Sequence, residues 1–434
     1  MGAIQRIKGT NDILPDHLGS EIFRSGLWRK LEETSFRIAG LSGYQEIRTP
    51  IFESTELFVR GLGDVTDIVK KEMFSFTDRG ERQLTLRPEG TASIVRAWLE
   101  NGIGVADPVA RLSYSGPMFR AERPQKGRYR QFHQFGVECI GGPDVRHDIE
   151  VIALFWNILT ALGVRGVKLL VNSVGCPGCI PHYRDVLRAH FMPHLGDLCE
   201  DCRERHQSNV LRMLDCKNQS CQEILSTAPA VTDHLCEVCA RSWEGLQDGL
   251  GMAGIPWDHD PRLVRGLDYY TKTAFEIVHT AIGAQGTIVG GGRYDGLIAA
   301  SGGPAVPAVG GAFGIERMLL AMQAEGVADP SPVRPRYFLV QIGDGVDEGM
   351  ERLLHGLRAA GISALRADGS RQMGKQMRAA SKAGSQEAVF IGGDEWDSGK
   401  LAIKDLDSGN QEVIEPGSDG PLAALVRRAG TGNG

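Results

Sequence analysis

At 434 residues the chain is longer than one ordinary domain, which sets an expectation of two or three compact units. With 42% apolar and 24% charged residues it reads as an ordinary soluble globular protein, and no apolar run approaches the ~18 residues that a membrane span needs. The opening MGAIQRIKGTNDILP shows neither the long apolar run nor the cleavage site of a secretion signal, so a cytoplasmic location is expected, and a net charge of −6 is not the basic footprint of a general nucleic-acid binder.

The first predicted element is a helix. From Glu21 to Ala39 the residues Phe23, Leu27 and Leu31 recur at a spacing of four beside Trp28, and Gly40 supplies a stop. GYQEIRTPIFESTELF, residues 43–58, predicts a short strand interrupted at Pro50, which has no N–H for a sheet ladder and so sits at an edge or an interface. LTLRPEGTA, residues 84–92, places Glu89 after a β-rich run and just before the helical pattern SIVRAWLE, where a carboxylate suits the positive end of a helix. VARLSYS (109–115) and QFHQFGVECI (131–140) read as two strands joined by a long basic loop. Arg120, Arg123, Lys126, Arg128 and Arg130 put five cations into eleven residues, with Pro124 and Gly127 breaking regular structure. Such a run is either a solvated hairpin tip or a ligand site. The aromatic Phe132, the amides Gln131 and Gln134 and the carboxylate Glu138 favour the second, being suited to a polyphosphate, a purine ring and a small polar ligand.

Between 148 and 162, Ile149, Ile152, Trp156 and Leu159 form one apolar stripe ended by Gly163, the pattern of a core helix, and VKLLV follows as a buried strand. Composition then changes. Eight of the nine cysteines, Cys176, Cys179, Cys199, Cys202, Cys216, Cys221, Cys236 and Cys239, fall together as CPGC, CEDC, CKNQSC and CEVC. A cytosolic chain gains little from disulfides and C-x-x-C is metal-ligand spacing, so two four-thiolate zinc sites are one reading and reduced thiols or redox pairs the other. Which pairs share an ion is open. The segment 173–260 that carries them looks thin in apolar residues, so a metal there would be structural.

LVRGLDYYTKTAFEIV (263–278) resumes a β pattern, and Arg265 within it calls for an anionic partner, because an unpaired guanidinium in an apolar stretch is costly. GGGRYDGL (290–297) lacks the strand, GxGxxG and helix setting of a dinucleotide fold, and its glycines instead permit close backbone approach to a ligand. GGAFGIERMLLAMQAEG opens a helix at Gly314 with Ile315, Met318, Leu319 and Met322 as its apolar stripe. Arg317 falls in its first turn, the end where the helix dipole disfavours a cation, so it needs another purpose. VADPSPVRP (327–335) is a proline-rich linker, 336–428 alternates strands and helices as a small α/β domain, and 429–434 reads as a frayed tail.

FRAE, the basic loop and RQFHQFG resemble motif 2 of the class II aminoacyl-tRNA synthetases, and RPQKGRYRQFHQ is similar to the histidyl branch of that family. KGTNDILP, LTLRPEGTA, LVRGLDYYT and GGGRYDGL agree in order, GGAFGIERMLL resembles motif 3, and the resemblance covers nearly the whole chain. It implies an α/β chain whose α+β catalytic domain, residues 1–172 and 261–326, is an antiparallel sheet flanked by helices. A cysteine-rich insertion at 173–260 interrupts that domain, and an anticodon-binding domain follows. It also implies a ligase that activates L-histidine with ATP and Mg²⁺, releases pyrophosphate and passes histidine to the 3′ end of tRNA(His), acting as a homodimer through the strand and helix around Pro50.

By the same resemblance Arg120 and Arg265 stabilise charge at the α-phosphate, Phe132 stacks on adenine with Glu122 near its amino group, and Arg128 and Arg317 hold the outer phosphates. Glu89, Thr91 and Gln134 take the α-ammonium of histidine and Arg265 its carboxylate. Glu138, Tyr269 and Tyr270 belong to the imidazole pocket, Tyr294 closes it, and Gln125 and Arg130 meet the tRNA acceptor end. The eight cysteines are no part of the shared pattern. Two other readings compete. One is a regulatory paralogue that binds histidine and controls a histidine-biosynthetic transferase, which should lack the C-terminal domain and the ATP arginines. The other is a zinc-dependent nucleic-acid-binding module resting on the cysteines alone.

Overall fold

The computed structural model describes residues 4–63, 66, 68–214, 216, 218–264, 269–282, 286–327, 334–367 and 372–430. They fall into two compact units, Met1–Pro330 and Ser331–Gly434. The first begins with α1 (Ser25–Leu41), β1 (Gln45–Glu46), β2 (Phe52–Ser54) and α2 (Thr55–Leu62). The helix starts four residues later than its apolar spacing predicts. Glu21 takes a positive φ of 48°, Leu14 bridges Arg24, and Asp16 Oδ1 then accepts the Gly26 N–H at 2.8 Å, so the chain turns before it coils.

Next come β3 (Phe74–Thr77), β4 (Gln83–Leu86), α3 (Thr91–Glu100), the short α4 (Ile103–Ala106), β5 (Ala110–Phe119), β6 (Gln131–Ile140), α5 (Arg146–Ala161) and β7 (Val167–Ser173). α6 (Ile180–Phe191), α7 (Glu200–Ser208), α8 (Gln219–Ser226) and α9 (Glu237–Met252) follow, then β8 (Trp257–His259), β9 (Thr271–His279), β10 (Thr287–Arg293), α10 (Leu297–Ala300), β11 (Ala308–Gly314) and α11 (Ile315–Ala324).

The main sheet has eight strands in the order β1-β5-β6-β11-β10-β9-β7-β8, antiparallel in its interior and parallel only at the two edge pairs. Side chains alternate across it. Phe135, Val137 and Cys139 of β6 are buried in a core with α1, α5 and α11, through Leu27 and Leu31, Phe155 and Ile158, and Met318 and Leu319. Phe132, Gln134 and Glu138, at alternate positions of β6, therefore face the opposite side of the sheet. β2, β4 and β3 make a separate three-stranded sheet.

The segment 173–260 is less thin in apolar residues than its sequence suggests. Tyr183, Leu187, Phe191, Val210, Met213 and Leu225 bury a core together with Cys202, Cys216 and Cys221. α9 belongs elsewhere, burying Leu246 and Leu250 in the main core.

The second unit comprises β12 (Tyr337–Gln341), α12 (Asp347–Ala359), β13 (Ala364–Arg366), α13 (Met373–Lys382), β14 (Glu387–Ile391), α14 (Gly393–Asp397), β15 (Leu401–Asp405), β16 (Gln411–Ile414) and α15 (Gly420–Gly430), with sheet order β13-β12-β14-β15-β16. α15 runs two residues into the stretch read as a frayed tail, because Arg428 is held by Glu387 at 2.9 Å and Leu425 is buried. Residues 431–434, and 328–333 of the linker, lie outside the described residues.

Candidate active site

The site is built on the β6 face opposite the main core. Register puts Glu138 opposite Gly310 of β11 and Gln134 opposite Gly314, with Gly116 of β5 on the other flank of Gln134. At its inner end Glu138 is 1% exposed. Its Oε1 accepts the Thr91 hydroxyl at 2.8 Å and its Oε2 the Tyr294 hydroxyl at 2.6 Å. Burial pushes its pKa up to about 8 against the pull of those hydroxyls, and the nearby Glu89 adds to the rise.

Glu89 is also buried and raised by desolvation, with the Ala92 and Thr91 N–H groups opposing the rise. It caps α3, Oε2 accepting from Thr91 N at 2.7 Å and Oε1 from Ala92 N at 2.8 Å, so the helix-end role anticipated for a carboxylate here is real. Each oxygen keeps a lone pair for a ligand. Gln134 Oε1 is buried and finds no partner among the described residues, an acceptor whose unmet hydrogen bond costs about 1–3 kcal/mol until something donates to it. Glu89, the Glu138 carboxyl and the orphan carbonyl oxygen of Gln134 form a setting for a small polar, hydrogen-bonding ligand. Tyr269 packs against Tyr270 at 4.6 Å and Tyr294 at 5.7 Å between ring centroids, and burial keeps the Tyr269 and Tyr294 phenols neutral.

Gly290, Gly291 and Gly292 of GGGRYDGL lie within β10 and the glycines of GGAFGIER within β11, not in a loop. A Cβ on Gly310 would fall 1.7 Å from Glu138 Oε2, and one on Gly292 2.8 Å from the Tyr270 ring. Here they admit side chains of the pocket itself. Arg293, buried at 1% exposure, bonds Asp148 through Nε at 3.1 Å and Gly142 O at 2.9 Å, a structural ion pair that the sequence reading did not single out.

Toward the outer end of β6 a cleft of about 570 Å³ opens, lined by Arg120, Glu122, Arg128, Phe132, Gln134, Glu276 and Arg317, among others. Arg120 donates to Pro88 O at 3.0 Å and lies 5.2 Å from the centre of the Phe132 ring. Arg128 pairs with Glu122 at 3.2 Å. Arg317, in the first turn of α11, donates to Gly127 O at 3.1 Å and Thr287 O at 2.9 Å; burial, then Arg128 and Arg120, depress its pKa. Three guanidiniums crowded at a half-buried cleft suit an anionic ligand. Beside Arg317, Glu316 accepts the His133 N–H at 3.0 Å, tying α11 to β6 between Phe132 and Gln134, and neither it nor the cleft-lining Arg212 and Glu72 stood out in the sequence.

Gln125 is exposed at the tip of the basic loop, in a separate hollow with Arg6, Lys8 and Tyr129, and the Arg130 N–H donates to Gly9 O at 2.8 Å. Arg265 lies outside the described residues.

The cysteines form two sets, Cys176, Cys179, Cys236 and Cys239, and Cys199, Cys202, Cys216 and Cys221, with the sulfurs of each set within 4.8 Å of one another. All are free thiols. Sulfur pairs stand 3.7 Å (Cys176, Cys179), 3.9 Å (Cys176, Cys236) and 3.8 Å (Cys199, Cys216) apart, close to the ~3.8 Å edge of a tetrahedron with zinc–sulfur bonds near ~2.3 Å. Backbone N–H groups of Cys236 and Cys199 point at the sulfurs of Cys179 and Cys221 at 3.2 and 3.3 Å, as suits thiolates. The donor sets fit zinc.

An antiparallel sheet carrying an arginine-walled cleft on β5, β6 and α11, with a small ligand pocket at its inner end, defines a class II aminoacyl-tRNA synthetase. Residues 24–318 match the family model for histidyl-tRNA synthetase, and residues 337–418 that for an anticodon binding domain. The histidine–tRNA ligase of Moorella thermoacetica is 49% identical over 97% of this chain and 96% of its own, and that of Desulforudis audaxviator 47% identical over 99% and 100%. The crystal structure of apo histidyl-tRNA synthetase from S. aureus superposes with a TM-score of 0.81 at 37% identity, covering 98% of this chain and 99% of that one. The chain belongs to the histidyl-tRNA synthetase family.

Proposed function

We infer that the protein is a histidine–tRNA ligase: it activates L-histidine with ATP to histidyl-adenylate and pyrophosphate, then transfers histidine to the 3′ end of tRNA(His). The observation that carries this is the continuity of the buried Glu89, Gln134 and Glu138 pocket with the arginine-lined cleft on one strand, β6. It seats an amino acid beside a triphosphate. The regulatory alternative expects neither the nucleotide arginines nor a C-terminal domain, and this chain has Arg120, Arg128 and Arg317 in one cleft as well as the second unit.

In the first step a carboxylate oxygen of histidine attacks the α-phosphorus and the bond to pyrophosphate breaks. Negative charge grows on the phosphoryl oxygens, so positioning and cations supply the catalysis. Arg120 meets that charge, with Arg265 as its partner by resemblance to the family. Phe132 stacks on adenine with Glu122 near its amino group, and Arg128 and Arg317 hold the outer phosphates. Mg²⁺, a hard cation suited to the carboxylates of Glu72 and Glu276 in the same cleft, would neutralise the pyrophosphate. Glu89, Thr91 and Gln134 take the ammonium. Glu138, Tyr269, Tyr270 and Tyr294 read the imidazole. A carboxyl held near pKa 8 is mostly a neutral acid at pH 7, able to donate to one ring nitrogen, which an ordinary carboxylate cannot do. Gln125 and Arg130 face the tRNA acceptor end.

The domains follow: catalytic at 1–172 and 261–326, insertion at 173–260, linker at 327–335 and anticodon-binding at 336–428. Each cysteine set holds a structural Zn²⁺. Exposed Ile51, Phe52 and Phe76 around the β2-β4-β3 sheet support a homodimer. No helix among the described residues is long and apolar enough to cross a membrane, and nine cysteines without a disulfide suit a reducing cytoplasm. Exchange of pyrophosphate into ATP tests the reading. Histidine alone among the twenty amino acids should drive it; histidine binding without exchange would favour the regulator.

A further inference from the structure

One guanidinium of the cleft comes from outside the catalytic sheet. Arg212 lies on the 3-10 turn Val210–Met213, between α7 and α8 of the cysteine-rich segment, yet it lines the same cleft as Arg120, Arg128 and Arg317. On a 3-10 turn residues three apart share a side, and Val210 and Met213 are both fully buried in the segment's core with Cys202, Cys216 and Cys221. Arg212 lies between these two anchors. Two bonds fix the turn to its surroundings: Met213 O accepts the Cys216 N–H at 2.9 Å, and Arg212 O accepts from Arg205 at 3.3 Å.

A second link runs from the same thiolate set to the cleft. Gln222 donates to Cys216 O and accepts from Arg262 at 3.3 Å, while Val264 packs against the cysteine-containing core and itself lines the cleft. The inner set, Cys199, Cys202, Cys216 and Cys221, thus stands behind Arg212 and Val264, the residues that the described part of the segment 199–264 presents to the nucleotide site.

We propose that Arg212 is a nucleotide-binding residue that supplies a cation to the triphosphate of ATP, and that zinc in the inner four-thiolate site holds it there. This rests on the reading of the cleft as an ATP site. Arg212 adds a fourth arginine to the lining that Arg120, Arg128 and Arg317 provide, and a polyphosphate seated in that cleft gives it a multiply charged anion to meet. A four-thiolate ion closes the chain around the turn, and without it the turn depends on a small core alone.

The test uses the full-length, zinc-replete chain and measures the Kd of ATP with Mg²⁺ by calorimetry, in the absence of tRNA. Arg212→Ala should weaken ATP roughly tenfold to a hundredfold, the loss of a charge-assisted contact, with histidine affinity within twofold and zinc content unchanged. Arg212→Lys should recover part of the loss. Stripping zinc from the wild type should weaken ATP to a similar degree, and stripping Arg212→Ala should add little, since the two changes act through one contact. Unaltered ATP affinity in Arg212→Ala overturns the assignment, even if stripping the metal unfolds the chain. Equal ATP affinity with and without zinc, in a chain that stays folded, overturns the role of the metal. Absence of histidine-driven exchange in the wild type would strike the ligase reading instead, and the ATP Kd values would still decide Arg212.

Discussion

The Tyr294 hydroxyl donates to Oε2 of Glu138 at 2.6 Å, across 156 positions of sequence, and both groups are 1% exposed. A carboxyl so placed holds its proton to about pH 8, whereas in the unfolded chain it ionises near 4.5. Between these values the folded state binds one proton more than the unfolded state, so this group's contribution to stability is present at low pH and falls as pH rises through the window. Ligand-free wild type should therefore melt at progressively lower temperature from pH 5 to pH 8. Glu138→Gln, which cannot ionise, should show a flatter profile by scanning calorimetry. Parallel profiles would mean that Glu138 is ionised in the folded chain.

Gly310 faces Glu138 with no room for a methyl group. A Cβ there would lie 1.7 Å from the Glu138 carboxylate and 2.6 Å from Val137 O, a ladder carbonyl that cannot move alone. Gly310→Ala should cost about 1–3 kcal/mol or more of stability and raise the KM for histidine well above that for ATP. Normal melting and a normal histidine KM would show that β11 has slack that the geometry denies it.

Arg317 stands at the positive end of α11, disfavoured there by the helix dipole and by Arg128 and Arg120, and is held by two backbone carbonyls. Such a placement is retained for a ligand. Arg317→Ala should raise the KM for ATP about tenfold or more while leaving that for histidine nearly unchanged, measured by pyrophosphate exchange. Arg317→Lys should recover little, because an ammonium cannot reach both Gly127 O and Thr287 O in the plane of a guanidinium. Equal effects on both substrates would point to a collapsed site.

Much of this was legible in the chain because it depends on short periods. The stripe of Ile152 and Leu159 announced α5, and alternation along 131–140 announced the strand that carries Phe132, Gln134 and Glu138. Elements whose form depends on remote contacts were less so: α1 begins late because of Leu14 and Asp16, and polar β16 exists because β15 supplies its ladder. Within the site, chemistry was readable and pairing was not. Nothing local says that Thr91 and Tyr294 share one carboxylate, that Arg293 meets Asp148, or that a turn among cysteines delivers Arg212 to the cleft.

The cysteine pairing is the sharpest case, since spacing alone left the four pairs open. The structure joins the first pair to the last, Cys176 and Cys179 after β7 with Cys236 and Cys239 at the start of α9, and nests the other four inside that loop. α9 is anchored in the main core, so the outer set clips the segment's two ends to the catalytic sheet, while the inner set holds the segment itself together. Two zinc ions per chain are expected by elemental analysis, with Cys236→Ser and Cys199→Ser each removing one. Loaded chain should resist a thiol reagent, and chelation should make the thiols of both sets more reactive. Fast reaction of the exposed Cys236 in untreated protein, without metal release, would mean that the outer four sulfurs are free thiols and that packing alone holds the clip.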